Sequence, residues 1–121
     1  GTRFAMSVES SAHQAFKEVC VNAQEGETFL TLKELAPVRL IRNKFCTDLQ
    51  NAYASGASTE DLKALLGRGR SKKGMFEGDL EEGELEIGQI VGLINEIQTV
   101  QVIVDEIVSE FVESTSKSIQ L

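Results

Sequence analysis

A glycine–threonine pair, Gly1-Thr2, opens the sequence and is followed by Arg3-Phe4. Glycine lets a backbone approach an anion closely, and threonine adds an N–H and a hydroxyl group. At the end of a barrel strand, ahead of a capped helix, such a pair can hold a phosphate group. From these residues alone, an ordinary strand end is the favoured interpretation. Because side chains alternate along a strand, Arg3 would point away from Thr2, which indicates a structural role for the arginine.

His13 is the only histidine of the chain, and histidine is well suited to act as a general base near neutral pH. It falls in the first turn of a predicted helix, however, and Glu9 is the only carboxylate close to it in the sequence. We therefore predict that His13 caps or packs against that helix and takes no part in catalysis.

Charged residues are concentrated in a glycine-rich stretch between Gly67 and Glu86. Its basic part, residues 68–73, could contact a nucleotide phosphate or an acidic carrier protein. Six carboxylates follow in residues 77–86, so a solvated loop of mutually neutralising charges is the favoured interpretation. These carboxylates lack the spacing of a calcium-binding loop. Spacing alone does not assign acid–base chemistry to Asp79.

The chain has 121 residues and a net charge of −7, which suits one domain and argues against nucleic acid or an anionic membrane as partner. No apolar run approaches the ~20 residues that span a bilayer, and the first residues do not resemble a signal peptide. Cys20 and Cys46 belong to no Cys-x-x-Cys motif. We therefore predict a cytoplasmic protein with two reduced thiols, no disulfide and no bound metal.

Helical patterns alternate with one extended region in the first half of the chain. The first helix is predicted to begin at Ser11, through a capping box with Gln14, and to end at Gly26. Two β-rich segments, residues 28–32 and 38–42, could pair as a small hairpin.

Glycines and capping residues divide the second half. One helix is predicted from Lys44 to Gly56, and another from a cap at Ser58 or Thr59 to Gly67.

The remainder of the chain is predicted to be a loop followed by two helices. The loop surrounds one helical turn near residues 75–76, and apolar spacing then predicts a helix over residues 87–97. A last helix begins at Val100, capped by Thr99, and the polar tail from Ser114 is expected to fray. The chain is thus expected to be mostly α, with a terminal strand stub and a short β-hairpin.

Four segments together resemble the C-terminal third of the flavin-dependent nitronate monooxygenases, the 2-nitropropane dioxygenase family. This family includes FMN-dependent enoyl-acyl carrier protein reductases. The residues that carry the resemblance are Gly1-Thr2-Arg3-Phe4, Glu9-Ser10-Ser11-Ala12-His13, Glu77-Gly78-Asp79-Leu80 and Gly88-Gln89. The run from Pro37 to Phe45 is also similar to the family, and the resemblance extends from Gly1 to about Glu110.

The resemblance implies an α/β parent fold, a (β/α)8 TIM barrel with a helical lid insertion and FMN bound non-covalently at its mouth. Residues 1–26 would then be the end of barrel strand 8 and the following helix. Residues 27–92 would be a mostly helical, lid-like segment, and residues 93–121 would be C-terminal helices that return to the barrel. The family's catalytic histidine lies upstream of the matched portion, so we expect no catalytic residue here and no activity from this portion alone.

The resemblance also assigns candidate cofactor-binding residues. In the family, backbone N–H groups of a Gly-Thr pair hold the FMN phosphate, which favours this role for Gly1 and Thr2. A Gly-Gln pair, here Gly88-Gln89, returns the chain towards the barrel mouth. Relatives carry Met-Ala before this pair, where this chain has Glu86-Ile87. Close packing at Gly88 is therefore favoured over a flavin contact from Gln89.

Two classes of function are open. The first is an FMN-dependent oxidoreductase that acts on a small molecule. It is either a nitronate monooxygenase, which residues 37–45 and 77–89 favour, or an NADH-dependent enoyl reductase. A homodimer of the parent enzyme is compatible with either. The second is a stand-alone acidic helical interaction domain without a cofactor. The first class predicts that apolar helix faces are left partly exposed, whereas the second predicts that they are buried.

Overall fold

The computed structural model describes residues 1–119 of the chain, and its elements follow one another with short connections. Six helices, one 3₁₀ helix and two strands are found in this range. In chain order they are α1 (Thr2–Ala5), α2 (Gln14–Asn22), β1 (Thr28–Thr31), β2 (Val38–Ile41), α3 (Lys44–Ala54), α4 (Thr59–Leu66), α5 (Arg70–Met75), the 3₁₀ helix (Gln89–Leu93) and α6 (Val100–Ile119).

The first residues form a helical turn, so the predicted strand stub is wrong. The amide of Ala5 donates to the carbonyl of Gly1 at 3.0 Å, and Met6 N donates to Thr2 O at 3.1 Å. Four residues are too few for apolar alternation to distinguish a strand from a helix. The turn is fixed by tertiary packing, because Met6 directly after it is buried in the core.

The N-cap of helix α2 lies two residues later than predicted, at His13 and not Ser11, and the helix ends at Asn22, before the predicted Gly26. The imidazole Nδ1 of His13 accepts a hydrogen bond from Ala15 N at 3.0 Å. The expected capping role of His13 is thus confirmed, and the capping box between Ser11 and Gln14 is wrong.

The predicted hairpin is confirmed. Strands β1 and β2 pair in antiparallel register, with Thr28 opposite Ile41 and Thr31 opposite Val38. The hairpin packs on α3 and α4 around one apolar cluster, whose buried members are Leu32, Leu40, Phe45, Cys46, Leu49 and Leu62.

Local capping signals place α3 and α4 as expected. The predicted cap of α4 is confirmed as a complete capping box, in which Ser58 Oγ accepts from Asp61 N and the Asp61 carboxylate accepts from Ser58 N. Gly67 ends this helix with a φ of 63°, in the region that favours glycine. Helix α5 runs over Arg70–Met75, earlier than the turn predicted near residues 75–76.

Residues 87–97 differ most from their prediction, because only Gln89–Leu93 are helical, as a 3₁₀ helix. The preceding residues pair with β2 as an extended segment: Ile41 N donates to Leu85 O at 3.0 Å, and Ile87 N donates to Arg39 O at 3.2 Å. Their side chains enter a second apolar cluster. Its buried members are Met6, Phe16, Cys20, Ala23, Ile41, Leu85, Ile87, Val91 and Ile94.

Helix α6 begins as predicted, with Thr99 Oγ1 accepting from Val102 N at 3.2 Å. It continues as a helix to Ile119, and residues 120 and 121 lie outside the described residues. The expected fraying of the tail from Ser114 stays a prediction. Within α6, Ile103 is buried, whereas Phe111 is 69% exposed. Exposed apolar faces in the single chain are what the oxidoreductase hypothesis predicts. No helix in the described range has both the length and the apolar character to cross a membrane.

Candidate functional site

The two segments singled out by the sequence meet at one groove. Its walls are the start of α1, the residues of β2 around Arg39, Met75 and the extended segment Glu86–Gly88, and its volume is about 450 Å³. Gly1 and Thr2 line it together with Gly88, so the first and the eighty-eighth residues of the chain become neighbours.

The contact between Gly88 and Thr2 is very close. A Cβ atom placed on Gly88 would lie 2.3 Å from Thr2 Oγ1, far inside van der Waals contact. Gly88 itself has φ −71° and ψ 158°, a conformation open to any residue. The requirement for glycine therefore comes from packing, as predicted, and its packing partner is the threonine of the other motif.

The first amides of α1 lie before its hydrogen-bond ladder. The first amide in its hydrogen-bond ladder is that of Ala5, so the amides of Thr2, Arg3 and Phe4 precede the ladder. Arg39 adds a positive charge to the groove wall, and its guanidinium also donates to Thr28 Oγ1 at 3.3 Å. Sequence reasoning did not select Arg39, although alternation of basic and apolar residues in residues 38–42 indicated that it would be on one face of a strand.

Gln89 is not part of this groove. It is exposed at the start of the 3₁₀ helix and borders a neighbouring depression that Glu25 and Leu93 also line. The structure thus brings Gly1, Thr2 and Gly88 together and leaves the Gln89 side chain on an adjacent surface.

Arg3 has the structural role that was predicted, although it lies on a helix and not on a strand. Its guanidinium forms an ion pair with Glu106 and donates to Gln98 Oε1 at 2.8 Å. These contacts join α1 to the start of α6. Glu9 supports the same junction, because its carboxylate accepts from Val100 N at 3.1 Å.

His13 makes two structural contacts. Besides capping α2, its ring lies against the backbone of Gly78, where a Cβ atom would be 2.6 Å from Nδ1. Gly78 has a φ of +78°, so the turn after α5 needs glycine for both conformation and space.

The basic run is not uniformly solvated. Arg70 donates to the carbonyls of Leu65 at 2.7 Å, Leu66 at 2.8 Å and Glu82 at 2.8 Å. Its guanidinium also lies over the Phe45 ring, 4.3 Å from the centroid. Arg70 therefore joins α4, α5 and the acidic stretch, and only the remaining cations of the run fit the predicted solvated loop.

Asp79 has a structural role in the acidic stretch. Its carboxylate accepts from Glu82 N at 2.9 Å and Glu81 N at 3.1 Å, and these amides lower the pKa of the Asp79 carboxyl. A carboxylate stabilised in its ionised form is a poor general acid. Among the described residues, no cluster of three or more possible metal ligands is present.

A pair of carboxyl groups that sequence reasoning missed lies beside the groove. Ser71 Oγ is 2.6 Å from Glu84 Oε1 and 3.0 Å from Glu86 Oε1. Burial, followed by the contact with Glu86, raises the pKa of Glu84 to about 7. The Glu-x-Glu spacing was the available signal, because residues i and i+2 of an extended segment share one face.

Both cysteines are free and buried, as expected for reduced thiols. Burial raises the pKa of the Cys20 thiol to about 12 and also raises that of Cys46. Thiols of this kind are poor nucleophiles at neutral pH.

Comparisons with known proteins agree with this arrangement. A family model described as nitronate monooxygenase matches residues 1–110. The solved structure of FabK from Thermotoga maritima is similar with a TM-score of 0.81 and 36% identity, over 97% of this chain and 37% of that chain. A methionine-to-alanine variant of FabK from the same organism gives a TM-score of 0.76 and 35% identity, over 97% of this chain and 34% of that chain. A search of curated proteins gives no match.

The chain therefore spans about a third of the length of the solved structures that it matches. The family model covers nearly all of the chain, and its matched range contains both Gly1-Thr2 and Gly88-Gln89. The family and FabK together imply a TIM-barrel parent fold, of which this mostly helical chain with one two-stranded sheet is a part. This chain belongs to the nitronate monooxygenase family.

Proposed function

We propose that this chain is the C-terminal part of an FMN-dependent oxidoreductase, a nitronate monooxygenase that oxidises alkyl nitronates with O2. The observation that carries the proposal is the contact of Gly88 with Thr2. It joins the two segments through which the chain resembles a flavin-binding family, and it does so at an open groove.

Gly1 and Thr2 would hold the FMN phosphate in this proposal. The residues present fit such a group, because the amides before Ala5 are outside the helical ladder and Arg39 lines the same groove. A Cβ atom on Gly88 would displace Thr2 and close this space. When bound, FMN would supply the redox chemistry, by accepting electrons from the substrate and passing them to O2. The chain's own contribution is to bind the phosphate; Gln89, on the adjacent surface, is at most a secondary contact.

The FMN/NADH-dependent enoyl-acyl carrier protein reductase is the second candidate. The similarity to FabK at 36% identity is the specific observation that favours it. The two candidates share the phosphate site and differ in the electron donor and acceptor. We assign residues 27–92 to a lid-like segment under either candidate. The small-molecule substrate, the cytoplasmic location and a homodimer of the complete enzyme remain predictions.

Two assays on the complete natural protein distinguish the candidates. Oxygen consumption that depends on an alkyl nitronate supports the first, whereas NADH oxidation that depends on an enoyl thioester supports the second. A protein that is purified without flavin, and that gains neither activity when FMN is added, would contradict both. It would favour the acidic interaction domain.

The 121-residue chain offers a direct test of the phosphate site. We expect it to bind FMN only at millimolar concentration, because phosphate contacts alone contribute little affinity. Amide NMR signals of Thr2, Arg3 and Gly88 should shift on titration with FMN, and those of Asp61 on the distant helix α4 should not. Shifts confined to residues outside the groove would refute the assignment of Gly1 and Thr2.

A further inference from the structure

The pair Glu84 and Glu86 surrounds a single hydroxyl group. Ser71 Oγ lies 2.6 Å from one carboxyl and 3.0 Å from the other. Glu84 is only 4% exposed, and its second oxygen, Oε2, is buried without a hydrogen-bond partner. The two carboxyl groups are therefore coupled at short range in a partly dry environment.

Counting protons shows what this arrangement requires. A serine hydroxyl carries one proton and can donate it to only one of the two carboxyl groups. The other short contact is a full hydrogen bond if that carboxyl is protonated and donates to the serine oxygen. With both groups ionised, the two carboxylates would have to share the single serine proton in a weaker bifurcated bond. The geometry thus fits a pair that shares one proton.

The surrounding charges do not remove the need for this proton. Arg70 is the cation that faces Glu84, but three backbone carbonyls already accept from its guanidinium. Cys46 faces Glu84 from α3 as a neutral thiol, since burial raises its pKa. The raised pKa of Glu84, about 7, agrees with retention of the proton near neutrality.

Glu86 connects this pair to the groove. It lines the groove together with Thr2 and Arg39, and its backbone forms a bridge with Leu40 of β2. A second negative charge on the pair is therefore felt by any anion bound at Thr2. Linkage also requires the reciprocal effect: an anion bound at Thr2 favours the protonated form of the carboxyl pair.

We propose that Glu84, Ser71 and Glu86 form a proton-holding unit that sets the charge of the groove and thereby couples phosphate binding to pH. The unit acts as a positioning and charge-controlling element, and it makes no covalent contribution. This inference rests on the proposed function, because it takes the groove to be the phosphate site. Anion affinity should fall as the pair loses its proton, by about threefold to tenfold, the size expected for one added like charge several Å away.

Inorganic sulfate is a suitable probe because, unlike phosphate, it does not titrate near neutrality. We would measure its affinity from the amide shifts of Thr2 and Gly88 in the 121-residue chain between pH 5.5 and 8.5. Glu84→Gln and Glu86→Gln each change one carboxyl group of the pair and no other titratable group, so the difference between wild type and these variants isolates the carboxyl pair.

The expected result is a threefold to tenfold larger loss of affinity with rising pH in wild type than in either glutamine variant. Equal losses in all three proteins would overturn the inference and leave the phosphate site standing. An absence of sulfate and FMN binding at every pH would overturn the site itself.

Carboxyl-carbon NMR tests the shared proton without any anion. The Glu84 signal should titrate near neutral pH in wild type, and Ser71→Ala should change its titration. Two carboxyl groups that are fully ionised at pH 6 would exclude the unit, whatever the sulfate measurements show.

Discussion

Gly88→Ala should destabilise the chain because of Thr2, and Thr2→Ala should remove most of that effect. The added Cβ would lie 2.3 Å from Thr2 Oγ1, whereas the next Thr2 atom, its Cβ, is 3.7 Å away in ordinary contact. Overpacking of this kind costs about 1–3 kcal/mol. Alanine recovers roughly 0.4–1 kcal/mol by restricting the unfolded chain, because the φ of −71° and ψ of 158° at Gly88 suit it.

The net expectation for Gly88→Ala alone is a loss of about 1–2 kcal/mol in the free energy of unfolding. In a Thr2→Ala background the same change should be neutral or stabilising by up to roughly 1 kcal/mol. The difference between the two backgrounds is a coupling energy of about 1–3 kcal/mol between two residues that are far apart in the sequence.

Urea unfolding followed by far-UV circular dichroism measures all four members of the cycle. Thr2→Ser is the matched control, because serine retains the Oγ atom and should therefore retain the cost of Gly88→Ala. A coupling energy below about 0.5 kcal/mol would refute the close contact. Thr2→Ser could also remove the cost of Gly88→Ala as completely as Thr2→Ala does. That result would show that the residue 2 side chain rotates away from the added Cβ atom, and that Thr2 does not require glycine at position 88.

Three further predictions concern the pH profile, the exposed helix and a cap. The raised pKa of Glu84, from 4.5 to about 7, means that the folded state binds more protons than the unfolded state in that interval. Stability should therefore decline as the pH rises from about 4.5 to 7, by up to roughly 3 kcal/mol, and Glu84→Gln should flatten the decline measured by urea unfolding. Phe111 and Val108 are exposed, so the double variant Phe111→Ser with Val108→Ser should lower the fluorescence of bound ANS. The free energy of unfolding should change by less than about 0.5 kcal/mol per site. Unchanged ANS fluorescence would contradict this prediction. Ser58→Ala should cost about 1 kcal/mol through loss of the α4 cap, and an unchanged urea midpoint would refute the role of the cap.

Elements with local signals could be predicted from the sequence. Helix α4 follows from Ser58, Asp61 and Gly67, whose capping interactions depend on residues within four positions of one another. The β1–β2 hairpin follows from two β-rich segments separated by a short connection. The structure adds little to these predictions because their causes are contained in the local sequence.

The start of α1 and the segment after Gly83 could not be predicted, because distant residues determine them. The apolar residues of 87–97 have helical spacing, but pairing of Leu85 and Ile87 with β2 satisfies the backbone and extends the chain. Gly92 contributes as well, since a Cβ atom there would lie 2.5 Å from Glu25 N. Tertiary contacts of this kind outweigh the helical spacing of apolar residues in the local sequence.

The largest error of prediction and the candidate site coincide, and the coincidence has a physical cause. The extended conformation of residues 84–88 places Glu84 and Glu86 on one face around Ser71, and it delivers Gly88 to Thr2. Conflict between local preference and observed structure is expected where function constrains a segment. Here the extended conformation at Ile87 and Gly88, inside the range predicted to be helical, brings Gly88 to the groove wall beside Thr2.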